Sequence, residues 1–600
     1  MTARALKWLA WLAAWSLSGA VSAQVQVLDD FRDTTRWRVV ASDQVKASMH
    51  RGAQGALCLR YDFAGVSGHA LLRRELALEL PAHYLLRLRL HGNGPANALQ
   101  LKLVDASGDN VWWLNRVDYV PPRLSTELTI RQRQIEFAWG PTTDRVLRRA
   151  AAIELVVASG SGGRGELCFE QLTLNTLPAP GPPPTATVSV SPQHWQVDLG
   201  EQREISGLFV HWPTDTRVRD FDVRLSDDAK RWRTVHRVRG AGRDMQVVWL
   251  PPELEARHLR LASTGGAAPA PADVQVMGPE QWPTPNAALA TLAKALPRGR
   301  VPRGFIGEQS YWTLVGVDGG AAHAAVISED GAIEPHKRGP SLEPFIVDES
   351  GRVTSWTDVT IDHALRDGYL PLPQVRWSRP DLALSIEAGA DGTPSRSRLL
   401  ARYTLANTGN APRRLTLLLA LRPWQVNPPA QFLNTPGGAS RVQRLAWHGG
   451  TLQVDGRPWL RALTPPHSVV AGTFDNGDVL VDAAAQQPLR TLADGQGLAS
   501  AALRWSFQLA PGESSSVAVV LPLAGDAAAP ARADDDWARA RFDAVAALWR
   551  ERLNRVALAL PADAQPIVDT LRSSLAHILM SRDGAALQPG TRSYARSWVR

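Results

Sequence analysis

Cysteine is almost missing from this chain: there are 2 in 600 residues, Cys58 and Cys168. Two thiols cannot build the usual metal knuckle, so zinc is not expected and no cofactor is implied. Long apolar runs are also missing beyond the first two dozen residues, so no stable membrane insertion is expected. There is no H-E-x-x-H, no G-x-S-x-G and no acidic loop with calcium spacing. The glycine-rich stretches GGAAH and GSGGRG do not open a helix after a strand, which argues against nucleotide binding. The formal charge is +8, yet no basic run interleaved with aromatics appears, so nucleic acid is not an expected partner.

What is present is globular composition, 44% hydrophobic and 21% charged, in a length that calls for three or four domains. Tryptophan is abundant at 22, which points to rigid packing, flat ligand platforms, or both. The chain opens with MTARALKWLAWLAAWSLSGAVSA. Arg4 and Lys7 form a basic start, Trp8 to Leu17 an apolar stretch, and Val21-Ser22-Ala23 a small-residue cleavage site. Residues 1–23 thus read as a secretory signal peptide, and the mature chain is expected in the periplasm or outside the cell. Its removal takes the formal charge from +8 to +6.

From residue 24 to 178 short alternating runs such as GALCLRYDF, YLLRLRLHG and GELCFEQLTL are broken by turn residues, the pattern of half-buried antiparallel strands in a sandwich. Cys58 and Cys168 lie in two of these runs. In an oxidising compartment they pair if their strands are neighbours; otherwise they are two small buried residues. The stretches DNVWWLNRVDYVPP and IEFAWGP resemble the jelly-roll carbohydrate-binding modules of secreted glycosidases. That resemblance makes Trp112, Trp113 and Tyr119 candidates for stacking on sugar rings, with at least one of the adjacent tryptophans turned into the core. Residues 179–192 follow as a Pro-rich linker.

Residues 193–278 carry HWQVDLGEQREISGLFVHWP, RDFDVRLSDDAKRWRTVHRVRG and ELEARHLRLAST. The order of Trp195, Asp198, Leu199 and Gly200, then Phe221, Val223, Ser226, Asp228 and Trp232, then Arg257, Leu259 and Arg260 resembles the discoidin, or coagulation factor 5/8 type C, domain. The resemblance implies a galactose-binding-like sandwich with Trp195 and Trp232 in its core. It leaves Trp212, Arg217 and Arg243 as loop candidates for a ligand. Such domains often carry a structural calcium, and no sequence feature locates one here.

A linker over 279–300, with ALATLAKALP helical, leads to β-rich sequence over 301–525. SYWTLVGVDGGAAHAAVISEDGAIEP, LRPWQVNPP and YTLANTGNAPRRLTLLLAL resemble the super-sandwich of glucoamylases, cellobiose-type phosphorylases and related six-hairpin glycosidases. The last of these stretches reads as a strand, an N-x-G turn and a strand of one hairpin. Residues 526–563 read as an acidic hinge and an amphipathic linker helix burying Trp537, Phe542, Val545, Leu548, Trp549, Leu553 and Val556. Residues 564–600 then read, by resemblance, as the start of an (α/α)6 barrel.

In that clan a Tyr and a Trp-x-Arg-Asp pattern after the first barrel helix hold sugar hydroxyls. Tyr594, Trp598 and Arg600 match it as candidate substrate contacts, and the expected Asp would be the next residue. The clan's catalytic carboxylates come from later hairpins, so no catalytic residue is assigned. The fold expected is mainly β, with a jelly roll, a discoidin-like sandwich and a super-sandwich ahead of a few helices. The function expected is the carbohydrate-binding N-terminal portion of a secreted glycoside hydrolase or phosphorylase, with a polysaccharide or oligosaccharide as partner. The alternative is a non-enzymatic exported adhesin or scaffold.

Overall fold

The computed structural model describes residues 25–177, 185–213, 219–241, 244–264, 271–430, 436–477, 479–480, 488–526, 529–530, 532–558 and 560–591. The chain divides into two compact units, 1–182 and 183–600. The proposed signal peptide lies outside the described residues. No described helix is long and apolar enough to cross a membrane.

The first unit is a sandwich of two antiparallel sheets. Its strands are β1 (Val25–Asp29), β2 (Arg38–Ala41), β3 (Lys46–Arg51), β4 (Leu57–Asp62), β5 (His69–Glu79), β6 (Tyr84–Asn93), β7 (Asn97–Val104), β8 (Val111–Tyr119), β9 (Thr126–Arg131), β10 (Glu136–Trp139), β11 (Arg149–Ala158) and β12 (Arg164–Thr176). One sheet runs β3-β4-β12-β6-β9, with β1 on the edge of β12, and the other runs β10-β8-β7-β11-β5-β2. Strand β6 shows why this sequence folds so: Leu86, Leu88 and Leu90 are buried in the core while Arg87 and Arg89 stand exposed between them. Cys58 and Cys168 face each other across β4 and β12 and are joined as a disulfide. The register of those two strands settles the open alternative in favour of pairing.

The second unit begins with a smaller sandwich. Five strands, Thr187–Ser191, His194–Glu204, Glu255–Ser263, Arg219–Ser226 and Arg233–Ala241, pack on three, Met245–Trp249, Gly207–His211 and Asp273–Met277. The first of these starts inside the stretch read as a Pro-rich linker, because Val188 and Val190 alternate in register with Val197 and Trp195. Trp195 is in the core as expected. Trp232 is not: it is half-buried, with the Arg260 guanidinium 3.9 Å above its ring and its Nε1 donating to Ala229 O.

The residues read as a second linker are packed. Helix α1 (Pro285–Ala295), capped by Thr284 Oγ1 accepting from Ala287 N, buries Ala288, Leu289, Leu292 and Ala293 beside Trp282, Phe209 and Val247. The same cluster includes Phe305, Trp424 and Phe474, so α1 wedges the small sandwich to the large one. The large sandwich has an eight-stranded and a nine-stranded sheet. Its strand Arg413–Arg422 is buried on both faces, Leu415, Leu417, Leu419 and Leu421 inward and Leu418 and Ala420 against Phe345 and Val470, which is why it reads as a continuous apolar run.

The YTLANTGNAPRRL stretch is not a hairpin. Strand Arg396–Ala406 belongs to the nine-stranded sheet and Arg413–Arg422 to the eight-stranded one. Fully buried Asn407 makes the corner between the sheets, donating from Nδ2 to Ala411 O and Leu509 O and accepting from Gly409 N. Helix α2 (Asp535–Leu553), capped by Asp534, lies on the outer face of the nine-stranded sheet. It buries Phe542, Val545, Trp549 and Leu553, whereas Leu548 is 42% and Val556 68% exposed, a narrower buried face than the sequence suggested. Helix α3 (Gln565–Ser581) packs Ala576 and Met580 into the same cluster and leaves Ile567, Leu571, Leu575 and Ile578 exposed in one stripe.

Candidate functional site

The outward face of the sheet β10-β8-β7-β11-β5-β2 gathers polar and aromatic side chains in rows fixed by strand register. One row reads Glu136, Trp113, Lys102, Glu154, Arg73 and Arg38 across all six strands. With strands about 4.8 Å apart, it spans roughly 24 Å. The next row reads Asn115, Gln100, Val156, Leu71 and Val40. Val156, Leu71 and Gln100 are buried although they point away from the core, so their taller neighbours close over them.

A β-bulge between Phe137 and Trp139 shapes one end of this face. The extra residue leaves Phe137 edge-on to Trp112 inside and sets Trp139 opposite Val111 on the outside. Trp139, 45% exposed, meets Trp113 edge to face at 5.4 Å. Lys102 Nζ lies 5.1 Å from the Trp139 ring centre and 5.9 Å from that of Trp113. Lys102 is half-buried, and no described residue accepts a hydrogen bond from its ammonium.

Burial pushes the Lys102 ammonium below its ordinary pKa, with the Glu154 carboxylate acting in the opposite sense. Glu154 Oε1 accepts from Arg73 Nη1 at 2.7 Å, and Gln100 Nε2 donates to Asn115 Oδ1 at 3.2 Å. His69 Nδ1 lies 2.9 Å from Ser42 Oγ, and burial holds its pKa below the usual value. The arrangement combines two apolar ring surfaces, an ammonium with donors to spare, and amides and carboxylates at strand spacing. These groups can stack on an apolar ring face and bond its rim hydroxyls at once. Glu154 is engaged by Arg73 as an ion pair.

The residues singled out from sequence fare differently. Trp113 is on the face just described. Trp112 is buried with its Nε1 donating to Arg145 O, as one of the adjacent pair had to be. Tyr119 packs its ring against the core, because the irregular pairing of β7 and β8, with Asp118 at φ 54°, turns it inward. Trp212 is not a loop contact: it is buried against Phe221, 5.4 Å between ring centres, with Nε1 donating to Gln246 Oε1. Arg217, Arg243, Tyr594, Trp598 and Arg600 lie outside the described residues. Lys102 and Trp139 were missed. The signal for Lys102 was present, a lone cation in the apolar alternation of NALQLKLVDA; the bulge that exposes Trp139 leaves no such mark.

Parts of the chain are similar to known proteins. The family model for the F5/8 type C domain matches residues 183–272. Among solved structures, the family 11 carbohydrate-binding module of the cellulosomal cellulase Lic26A-Cel5E of Clostridium thermocellum is 13% identical, covering 26% of this chain and 96% of its own, with a TM-score of 0.23. The module TmCBM61 in complex with β-1,4-galactotriose is 18% identical over 24% of this chain and 92% of its own, with a TM-score of 0.16. An exo-β-agarase is 14% identical over 26% of this chain and 25% of its own, with a TM-score of 0.19. No curated protein sequence matches the chain.

Proposed function

We propose that this chain is exported and binds a polysaccharide or oligosaccharide on the Trp113–Trp139 face of its N-terminal sandwich, as the targeting portion of a carbohydrate-active enzyme. The observation that carries the reading is Lys102: its side chain is half-buried, its ammonium lies beside two tryptophan rings, and among the described residues none accepts a hydrogen bond from it. The ammonium keeps contact with solvent, so a ligand hydroxyl can replace water beside the two rings that already position it. The rings beside it offer the apolar surface that a sugar ring presents in turn.

The enzyme part of the reading is supported by the exposed stripe Ile567, Leu571, Leu575 and Ile578 on α3. Such a stripe is the inner face of a helix that packs on further helices, as the first hairpin of a six-hairpin barrel does. In that setting Tyr594, Trp598 and Arg600 would touch substrate in the barrel, while the catalytic acids would come from later hairpins.

A glycan array probed with the full chain tests the binding claim. Retention on one or more polysaccharides, lost in Trp139→Ala and Lys102→Met, is the expected result. Binding to none, or binding that both variants retain, refutes it.

A further inference from the structure

The opposite sheet of the same sandwich carries a second cluster that sugar binding does not use. Across β3, β4, β12 and β6 one row of outward side chains reads His50, Cys58, Cys168 and His91. The disulfide occupies its centre. His50 Nε2 lies 3.5 Å from Glu166 Oε2, and Glu166 Oε1 lies 3.9 Å from Cys168 Sγ. One ligand atom each from His50, Cys58 and Glu166 falls within a 4.8 Å span. His91 is engaged elsewhere, its Nδ1 being 2.7 Å from Glu170 Oε1.

We infer that Cys58, Cys168, His50 and Glu166 form a thiol-gated site for one borderline-soft divalent cation of the zinc type, closed while the disulfide stands and opened by its reduction. The donor set is two sulfurs, one imidazole nitrogen and one carboxylate oxygen, which suits tetrahedral coordination with bonds of about 2.0–2.3 Å. Such bonds put ligand atoms some 3–4 Å apart, so the groups close on an ion by shifts of the order of an ångström.

Register does the positioning. His50, Cys58 and Cys168 are direct cross-strand neighbours, and Glu166 is two residues before Cys168 on the same face. Glu166 Oε2 is held by Arg60, at 3.0 Å from Nη2 and 3.2 Å from Nε, which leaves Oε1 turned to the sulfurs. The β3–β4 connection folds over them at Gly52, where a methyl group would stand 2.4 Å from Cys58 Sγ and 3.6 Å from Cys168 Sγ. The sulfurs are thus buried, while His50 and Glu166, at 38% and 24% side-chain exposure, keep a path open to solvent.

The opening step balances as ordinary thiol–disulfide exchange. A dithiol reductant passes two electrons and two protons to the sulfurs of Cys58 and Cys168 and becomes a disulfide itself. The cation then displaces the two thiol protons and binds the two thiolates. Reoxidation runs the reverse way: a disulfide oxidant takes two electrons from the two thiolates and, with two protons from water, leaves as a dithiol, while the Cys58–Cys168 bond reforms and the cation is released.

The test uses the full chain and cobalt(II) alone as the probe. One portion is kept oxidised; another is reduced with a phosphine, which takes oxygen from water, and is freed of it under argon. The expected result is one equivalent of cobalt in the reduced chain, with a thiolate-to-cobalt charge-transfer band, and none in the oxidised chain. His50→Ala and Glu166→Gln, reduced in the same way, should each bind at least ten-fold more weakly. No band in the folded reduced chain, equal uptake by the oxidised chain, or unchanged affinity in both variants would overturn the inference. If reduction unfolds the sandwich, one equivalent of metal must restore its near-ultraviolet circular dichroism, and failure to do so overturns it equally.

Discussion

At the scale of single residues, the Trp113–Lys102–Trp139 group and Asp198 make opposite kinds of statement. Trp139 packs edge to face on Trp113, so its loss should cost about 0.5–1.5 kcal/mol of stability. As a ligand anchor it is worth about 2 kcal/mol, roughly thirty-fold in Kd. Titration calorimetry of Trp139→Ala with a glycan identified on the array should therefore show roughly thirty-fold weaker binding by a chain that remains folded. Binding through the ammonium of Lys102 should also fade as pH rises through its lowered pKa, before the ordinary lysine value of 10.5 is reached. Asp198 concerns folding alone. The Arg257 guanidinium that donates to it, with the Gly200 N–H, holds its pKa down to about 2 from an ordinary 3.8. A carboxylate depressed in the folded state stabilises it above the unfolded pKa, and that contribution is lost as pH falls through the folded one. Asp198→Asn should accordingly flatten the acid limb of the stability curve between pH 3.8 and about 2, followed by urea titration at each pH.

Among the elements, α2 is held to its sheet by shape as much as by apolar area. Gly389 sits beneath it, and a methyl group there would come 2.3 Å from Leu372 Cδ2 and 3.1 Å from Phe542 Cε1. Gly389→Val should cost about 1–3 kcal/mol by overpacking, and Phe542→Ala about 3–5 kcal/mol by leaving a cavity, both measurable by chemical denaturation. The sequence could show that α2 is amphipathic but not how wide its buried face is, because a helix laid on a flat sheet buries a narrow strip and leaves Leu548 in water. Legibility followed the same logic elsewhere. One-faced strands such as β6 declare themselves by alternation, whereas Arg413–Arg422, buried on both sides, and Asn407, turning a corner between sheets, carry no periodic signal. At the candidate site Trp113 was readable from a pair of tryptophans on a strand, one of which had to face outward. Trp139 was not, because its outward turn depends on one inserted residue in β10. Trp212 misled for a related reason: the Trp-Pro that follows the strand Gly207–His211 looks like a loop, yet the ring folds back onto Phe221.

For the whole molecule, the division at residue 182 and the position of the disulfide together define how it should come apart. The two units each have a core of their own, one built around Phe31, Leu72 and Phe169 and the other around Trp377, Tyr403 and Trp505. Cys58 and Cys168 are 110 residues apart and both belong to the first unit. Closing a loop of that length restrains the unfolded chain by about 4–5 kcal/mol in the entropic account, against a typical observed 2–4 kcal/mol. The second unit contains neither cysteine, so a reductant has no covalent bond to break there. Scanning calorimetry should resolve two transitions. Reduction should lower one of them by several degrees and leave the other in place, and Cys58→Ala/Cys168→Ala should reproduce the shift without reductant. A single transition, or one in which both peaks move together on reduction, would mean that the two cores unfold as one cooperative body despite their separate packing. Divalent metal added to the reduced chain should raise only the transition that reduction lowered, which ties the thermal behaviour of the first unit to the occupancy of its four-ligand cluster.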